Sequence, residues 1–411
     1  MAGEWSEQSL GEFVTLQRGF DLPTQDRKPG RVPIVSSSGA SGKHSVARVS
    51  GPGVVTGRYG TIGQVFYIKE DFWPLNTTLF VSNFKGNDPL FTSYLLRTVD
   101  IASCNDKSSV PGVNRNDLHR LRVNTPPFPE QRAIAHILGA LDDKIELNRR
   151  MNETLEAMAR ALFTSWFVDV DPVRTKAEGR QPDGMDAETA ALFPDAFEES
   201  ELGPIPQAWA VRAFSQTIVL IGGGTPKTTV PEYWGGDIPW FSMVDAPRDV
   251  DMFVIDTEKK ITQAGLDNSS ARLLAPDTTI ISARGTVGRC ALVGLTMAMN
   301  QSCYGVKGSD GRGDYFTYFS LRGVVADLQR SSHGSVFDTI TRDTFERIKI
   351  MCPPVALTQQ FDRTVRDLMK RALLNLHESR TLAAIRDALL PRLLSGEIRV
   401  KDAVQIVEAA R

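Results

Sequence analysis

Apolar residues recur every three or four positions over two long stretches of the chain. In the first, residues 130 to about 167, the only internal glycine or proline is Gly139. The apolar seam of this stretch consists of Ile134, Ile137, Leu141, Met151, Leu155, Met158 and Leu162. Such spacing predicts one continuous helix of the coiled-coil type. About 35 residues of helix span roughly 50 Å.

The second stretch, residues 355–396, has a matching line of residues spaced seven apart, of which four are apolar and one is polar. That column consists of Phe361, Leu368, Asn375, Leu382 and Leu389, and the alternate column is partly polar. Asn148 and Asn375 occupy the same place in the two helices, the middle of five layers. A buried asparagine in such a seam lowers stability but fixes helix register, and in an antiparallel pair the two would lie near the centre and could pair with each other. The other interpretation is that both face solvent and match by descent alone.

Before each long helix, short runs of β-branched and aromatic residues alternate with glycine, proline and serine. Strands are predicted at residues 53–56, 64–68, 78–82, 278–282 and 289–293, and short helices at residues 91–98 and 315–328. The predicted fold class is α+β. It consists of two similar globular α/β domains separated by two long antiparallel coiled-coil helices, related by a pseudo-twofold internal repeat.

The repeat is visible in the sequence itself. Residues 115–127 and 342–354 share the pattern R-x-x-(L/F)-x-R-(L/I)-(R/K)-(V/I)-x-x-P-P at an offset of 227. Over the 49 positions that start there, 12 are identical, whereas average residue usage gives roughly three. Upstream, the G-T-x-G stretches at residues 60–63 and 285–288 match at an offset of 225, and Asn76 matches Asn300 at 224. Two copies of one domain-plus-helix unit follow.

These patterns divide the chain into six parts. They are a first globular domain (residues 1–127), a central spacer helix (128–168), an acidic linker (169–202), a second globular domain (203–354), a C-terminal spacer helix (355–396) and a tail (397–411). The linker carries three Lys/Arg against ten Asp/Glu, which is more than the whole net charge of −2. The rest of the chain is therefore slightly basic, which permits DNA binding through local patches without requiring it.

Composition limits the other classes. The four cysteines are scattered without C-x-x-C spacing, no apolar run approaches the length of a membrane span, and the N-terminus lacks the order of a signal peptide. We expect a reduced, cytoplasmic protein that has no membrane partner.

Motifs of catalysis are missing or incomplete. Residues 125–128, T-P-P-F, come close to the (N/D)-P-P-aromatic motif of amino-methyltransferases but have no acceptor side chain before the prolines. The G-G-G-T-P-K run at residues 222–227 is not a phosphate-binding loop, because it lacks the G-x-x-x-x-G-K-(S/T) pattern. No H-E-x-x-H, G-x-S-x-G or metal-spaced His/Cys cluster is present in the sequence. The expectation is a chain without catalytic residues, bound metal or cofactor, whose chemistry comes from partners.

Several segments resemble one known family. The segment of residues 148–172, which ends in A-L-F-T-S-W-F-V-D-V-D-P, is similar to the central helical region of the specificity subunits of type I restriction-modification systems. The run L-A-A-I-R-D-A-L-L-P-R-L-L-S-G-E-I at residues 382–398 is similar to their C-terminal region. G-G-T-P-K at residues 223–227, followed by I-P-W-F-S at 238–242, looks like the usual opening of their domains. The first copy departs from it, with Q-R-G-F-D-L-P at residues 17–23.

The resemblance implies a DNA-binding, non-catalytic subunit that serves in phage defence. Each globular domain would be a target-recognition domain that reads one half of a bipartite, asymmetric site in double-stranded DNA. The helices would set the spacing and dock two methylase subunits, to which nuclease-translocase subunits add. S-adenosylmethionine, Mg and ATP are expected only on those partners. Two alternatives remain: a coiled-coil adaptor without a DNA role, and a recognition subunit that serves a single fused methylase-nuclease polypeptide.

DNA contacts need Lys/Arg, hydroxyl and amide side chains on loops. In the first domain the candidates are Ser36, Ser37, Ser38, Lys43, Arg58, Tyr59, Thr61, Lys107 and Ser108. In the second domain they are Thr225, Lys227, Ser242, Arg284, Thr286, Asn300, Ser332, His333 and Ser335. Each has the alternative of being a solvated loop residue, and the G-T-x-G glycines that of forming tight turns between strands.

Overall fold

The structure is a computed structural model that describes residues 5–106, 112–247, 251–285, 287–331 and 339–409. The chain divides into two units, the first formed by Met1–Ile145 with Thr381–Arg411 and the second by Glu146–Arg380. Each unit therefore contains one globular region together with a part of both long helices.

The first unit begins with a mixture of short strands and helices. Its elements in chain order are β1 (Ser6–Ser9), α1 (Leu10–Phe13), β2 (Thr15–Arg18), β3 (Val32–Ser36), β4 (Gly39–His44), β5 (Gly53–Gly57), β6 (Val65–Ile68), β7 (Trp73–Pro74), β8 (Thr78–Asn83), α2 (Pro89–Thr98), β9 (Asn105–Asp106), β10 (Gly112–Val113), α3 (Arg115–Arg120), β11 (Arg122–Thr125) and the start of α4 (Phe128–Phe167).

The strands of this unit form small sheets around one core. An antiparallel sheet has the order β2-β8-β5-β6, a second has the order β4-β3-β7 with β3 and β7 parallel, and β1 pairs with β11. Phe13, Phe91 and Tyr94 are fully buried between the sheets and α4. The core also includes residues of the C-terminal helical segment, among them Leu389 and Leu393.

The second unit repeats this plan with additional elements. It continues with α5 (Asp171–Ala177), α6 (Ala187–Ala191), β12 (Phe197–Ser200), β13 (Gly203–Pro206), β14 (Ala210–Ala213), β15 (Ile218–Gly222), β16 (Trp234–Phe241), β17 (Phe253–Val254), β18 (Lys260–Ile261), α7 (Gln263–Asp267), β19 (Thr279–Ser282), β20 (Cys290–Val293), β21 (Ala298–Met299), β22 (Cys303–Gly308), α8 (Asp314–Ser331), α9 (Arg342–Arg347), β23 (Lys349–Cys352) and α10 (Val355–Leu394). The last element, α11 (Val400–Ala409), belongs to the first unit.

Strand order shows the correspondence of the two copies. The sheet β15-β22-β19-β20-β17 contains the order of β2-β8-β5-β6 with one strand added, and β18-β16-β21 keeps one parallel pair, as β4-β3-β7 does. β14 pairs with β23 as β1 pairs with β11. The predicted α+β class and the two long helices are confirmed, and the predicted strands begin and end within one residue of the observed ones.

Each globular region is fastened to its helix at corresponding positions. Gln131 of α4 is buried, and its Oε1 accepts a hydrogen bond at 3.0 Å from the backbone N–H of Asp88, the residue that caps α2. Thr358, the residue at an offset of 227, accepts one at 3.3 Å from the N–H of Gly313, which directly precedes α8. The same helix face therefore holds the same neighbouring helix in both copies.

The two helices run antiparallel where they meet inside the second unit, and both predicted seam asparagines are buried there. The Nδ2 of Asn148 lies 3.4 Å from the carbonyl oxygen of Asn375 and 2.8 Å from a carboxylate oxygen of Glu378. The side-chain partner of Asn375 is Asn152, whose Oδ1 accepts its hydrogen bond at 3.0 Å. The expected direct pairing of the Asn148 and Asn375 side chains is therefore replaced by a relay through Asn152 and the backbone.

The acidic linker is an ordered part of the second unit. Val173 and Phe193 pack in one apolar cluster with Trp166 and Phe167 at the end of α4 and with Phe361 of α10. α5 begins with Asp171 and Pro172 in its first turn, where an acidic side chain and proline both suit a helix start. The linker thus packs against the C-terminal end of α4.

Candidate DNA interface

The loop after β5 carries two of the predicted DNA-contacting residues in a fixed arrangement. The backbone N–H groups of Arg58 and Tyr59 both donate to the carbonyl oxygen of Thr77, at 2.8 and 3.1 Å, and the carbonyl oxygen of Arg58 accepts from Val113 at 2.9 Å. The guanidinium carbon of Arg58 lies 4.4 Å from the centre of the Tyr59 ring. This distance is that of a cation–π contact, which holds the arginine side chain in place.

The second unit builds the same loop from different side chains. The backbone N–H of Ala283 donates to Ser302 at 2.9 Å, and the carbonyl oxygen of Ala283 accepts from Ile340 at 2.9 Å. Ala283 therefore occupies the place of Arg58. Arg284 occupies that of Tyr59, because it forms a β-bridge to Thr339 as Tyr59 does to Gly112. Arg284 is exposed on this loop.

The glycines of the two G-T-x-G loops have a conformational role. Gly60, Gly63, Gly285 and Gly288 all have φ between 79° and 88°, a region that other residues rarely adopt. The tight-turn interpretation therefore accounts for the glycines. Thr61 is half-buried beside them, with its carbonyl oxygen packed closely against Gly57.

Beside Arg58 lies a concavity of about 470 Å³ that is rich in donors. Its lining includes Arg18, Arg58, Tyr59, Asn114, Arg115 and Asn116. Four of these lining residues were not among the predicted DNA-contacting residues: Arg18, Asn114, Arg115 and Asn116. Asn114 caps α3 by accepting a hydrogen bond from the N–H of Asn116 at 2.9 Å. The signal available in the sequence was the asparagine-arginine pair at the start of the repeated R-x-x-(L/F) motif, which we interpreted only as a mark of duplication.

The other first-domain candidates lie on a neighbouring hairpin. Ser36 ends β3, and its hydroxyl bonds within the turn to Ser38 and to the carbonyl oxygen of Gly39, at 3.1 and 3.0 Å. Ser37 packs beside Gly57 and Gly60, which flank Arg58 and Tyr59 in the loop after β5. Lys43 is exposed on β4. The structure therefore brings Ser37 to Arg58, while the hydroxyl of Ser36 serves the turn.

In the second unit Thr225 and its neighbours form the turn after β15. Thr225 donates to the side chain of Gln301, and the first copy has a hydrogen bond from Asn76 to Asp21 at the same place. A Cβ on Gly223 would overlap the carbonyl oxygen of Asn300, as one on Gly19 would overlap that of Leu75. Asn76 therefore corresponds to Gln301, and the sequence match of Asn76 with Asn300 is wrong by one position.

Three further candidates differ in how far their side chains already form hydrogen bonds within the protein. Lys227 is exposed. Ser242 is engaged in a capping box with Asp245, with its hydroxyl 3.0 Å from the carboxylate. The Oδ1 of Asn300 accepts from the N–H of Ser302 at 3.0 Å. Six candidates lie outside the described residues: Lys107, Ser108, Thr286, Ser332, His333 and Ser335.

Two cysteine thiols of the second unit are buried. Burial raises the pKa of the Cys290 and Cys303 thiols to about 12, so both stay protonated near neutral pH. Within the described ranges no group of three His, Cys, Asp or Glu side chains is placed to hold a metal ion. Of the helices in those same ranges, none has the length and apolar character to cross a membrane.

A duplicated α+β scaffold on paired helices, with an arginine on each of the two corresponding loops, defines a protein with two related binding surfaces. The sequence matches the family described as the type I restriction modification DNA specificity domain twice, over residues 2–157 and 206–370. The chain belongs to this family, and recognition of DNA sequence is its function.

Individual relatives agree with this assignment. The type I restriction enzyme HindI specificity subunit of Haemophilus influenzae is 30% identical over 331 residues, which cover 70% of this chain and 71% of that protein. The MjaIX specificity subunit of Methanocaldococcus jannaschii is 25% identical over 352 residues, covering 83% and 76%. The crystal structure of the type I restriction-modification system S subunit from M. genitalium shares the fold, with a TM-score of 0.61 at 15% identity over 95% of this chain and 96% of that one.

Proposed function

We propose that each globular region reads one half of a bipartite, asymmetric site in double-stranded DNA. One observation carries this proposal: the two copies keep the same loop backbone but place different side chains on it. Arg58 and Tyr59 stand where Ala283 and Arg284 stand in the second copy. Two identical readers would prefer a palindrome, whereas two readers with different side chains select different half-sites.

The long helices are the proposed docking surface for two methylase subunits. Leu147 and Leu374 precede the buried asparagines at repeat-equivalent positions, and they are 52% and 60% exposed. In this proposal a methylase subunit covers each of these leucines. Because the two leucines are equivalent in the repeat, the same partner fits at both, which supports a pair of methylase copies. Nuclease-translocase subunits then add to that complex.

In this proposal the chain is not an enzyme, and the cofactors belong to its partners. S-adenosylmethionine would bind to the methylase subunits, and Mg and ATP to the nuclease-translocase subunits.

The test is methylation by a reconstituted complex. The chain alone should leave DNA unmodified, and the chain with its cognate methylase should modify one bipartite sequence, mapped by sequencing of methylated adenines. Replacing residues 203–354 with those of another family member should change one half of that sequence and leave the other half intact. Methylation by the isolated chain, or a change in both halves, would contradict the proposal. A chain that assembles with partners but never binds DNA would instead support the adaptor alternative.

A further inference from the structure

Among the loop residues of the first unit, Arg58 combines a fixed backbone with a guanidinium free for a ligand. Its backbone N–H is bonded to Thr77, in the turn before β8, and its carbonyl group to Val113 of β10. Its side chain is half-buried against Tyr59, and among the described residues it forms no hydrogen bond and no ion pair. Stacking on a ring uses the face of the guanidinium and leaves its N–H edge available.

The surroundings of Arg58 are those of a nucleic-acid groove reader. Arg115 and Asn116 open α3 on the other side of the concavity, and both are exposed. Arg18 is also exposed, and its ion pair with Asp21 is long, at 3.5 Å. An exposed pair of this kind adds little stability and is readily exchanged for a phosphate.

We propose that Arg58 reads a guanine in the first half-site, while Arg18 and Arg115 contact phosphates on either side of it. This inference rests on the proposed function. A guanidinium held by its face presents two parallel N–H donors, which match the O6 and N7 acceptors of guanine in the major groove. Flexible, exposed arginines suit the phosphate role, which fixes orientation but carries no sequence information.

The second copy lacks this reader. Ala283 takes the place of Arg58 and is 3% exposed, so no side chain there reaches into a groove. The guanine contact therefore belongs to one half-site only.

The experiment measures methylation by the complete complex with its methylase subunits, on DNA in which each base of the target is varied. Arg58→Ala should lower methylation of the native target by about 10- to 100-fold and remove the preference for guanine at one position of one half-site. Arg58→Lys keeps the charge and the stem, and should still lose part of that preference. Arg18→Ala and Arg115→Ala should weaken binding to all sequences alike and reduce the slope of affinity against salt by about one each.

Arg120→Ala is the matched control. Arg120 is an exposed arginine of α3 that pairs with Asp117 and does not line the concavity. The complex with this variant should methylate the same target at the same rate as the wild-type complex. The inference is overturned if Arg58→Ala and Arg58→Lys keep the full guanine preference, or if Arg58→Ala loses activity equally on every base variant. If the wild-type complex recognises no bipartite sequence, the proposed function itself fails, and the two failures are thereby distinguished.

Discussion

Asn375 lies inside the helix pair of the second unit, where an apolar residue would bury more apolar surface. It is 1% exposed, and its amide donates to Asn152, which is 5% exposed. A buried polar pair is worth little against an apolar pair of similar volume, but breaking it by removing one partner is costly. The pair therefore acts on the register of the helices more than on their stability.

Asn375→Leu should lower the free energy of unfolding by about 1–3 kcal/mol, because the buried Oδ1 of Asn152 loses its donor. The double substitution Asn152→Leu with Asn375→Leu should recover most of that loss. Urea unfolding of the three proteins checks both statements. Leu374→Ala is the control, since this exposed neighbour should change stability by less than about 0.5 kcal/mol. A double variant as unstable as the single one would contradict the argument.

Asp362 introduces a pH dependence at the start of α8. Burial raises its pKa to about 6, although its carboxylate accepts hydrogen bonds from the N–H groups of Tyr315 and Phe316 at 3.1 and 2.9 Å. The folded chain thus binds this proton more tightly than the unfolded chain does. Stability contributed by the protonated form is present below about pH 4 and is lost as the pH rises through 6.

Asp362→Asn removes this ionisation and keeps one acceptor oxygen. Relative to the wild type, the variant should gain up to about 3 kcal/mol in unfolding free energy between pH 4 and pH 7. Urea unfolding at several pH values gives that difference directly, because groups common to both proteins cancel. Parallel pH profiles for the two proteins would show that Asp362 titrates normally.

At the level of elements, Asp142 joins three helices of the first unit. One carboxylate oxygen accepts from the hydroxyl of Tyr94 on α2 at 2.6 Å, and the other accepts from Arg386 of α10 at 2.6 Å. Burial, followed by this hydrogen bond, raises the pKa of Tyr94. The equivalent position in the second copy is Met369, which is fully buried. At this position the first unit therefore holds its helices together by hydrogen bonds, and the second unit has a buried apolar side chain instead.

Asp142→Ala should destabilise the first unit by about 2–3 kcal/mol, because the buried Tyr94 hydroxyl loses its acceptor. Hydrogen exchange should show faster opening of α2 and unchanged protection of α8. The adjacent Asp143→Ala is a close control, since Asp143 pairs with Lys69 at the surface, where both side chains are more than two-thirds exposed. Loss of an exposed pair is worth at most about 1 kcal/mol. Equal effects of the two substitutions would refute the role of Asp142.

The elements themselves were largely predictable, and the contacts between them were not. Periodicity located α4 and α10, because an apolar seam of helical spacing reports burial directly. The strands after Gly53 and Thr278 followed from β-branched runs bounded by turn residues. The relay through Asn152 depends on how the two helices are offset, which no single-helix pattern contains. Arg115 was missed because its motif is equally well explained by duplication.

At the scale of the whole molecule, both ends of the described chain belong to one unit. The indole N–H of Trp5 donates to Glu130 at 3.3 Å, Arg399 pairs with Glu130 at 3.6 Å, and the Trp5 ring lies next to Gly396. The corresponding place in the second unit, after α4, is occupied by the continuous linker. Trp5 and Gly396 therefore lie close together at the place where the linker follows α4 in the second copy.

A circular permutant should consequently fold and recognise the same DNA. Residues 5 and 409 would be joined by a flexible Gly/Ser linker of about 15 residues, which spans roughly 20 Å on average. New ends would be made between Gly179 and Arg180, both exposed in the turn that follows α5. The permutant keeps every element of both units, so its melting temperature should lie within a few degrees of the parent's, and its complex with methylase should modify the same bipartite sequence.

A control permutant opened between Leu138 and Gly139, inside α4 and its buried seam, should fail to fold. Loss of folding in the linker permutant would mean that the connection between the copies, and not the repeated scaffold, determines the structure.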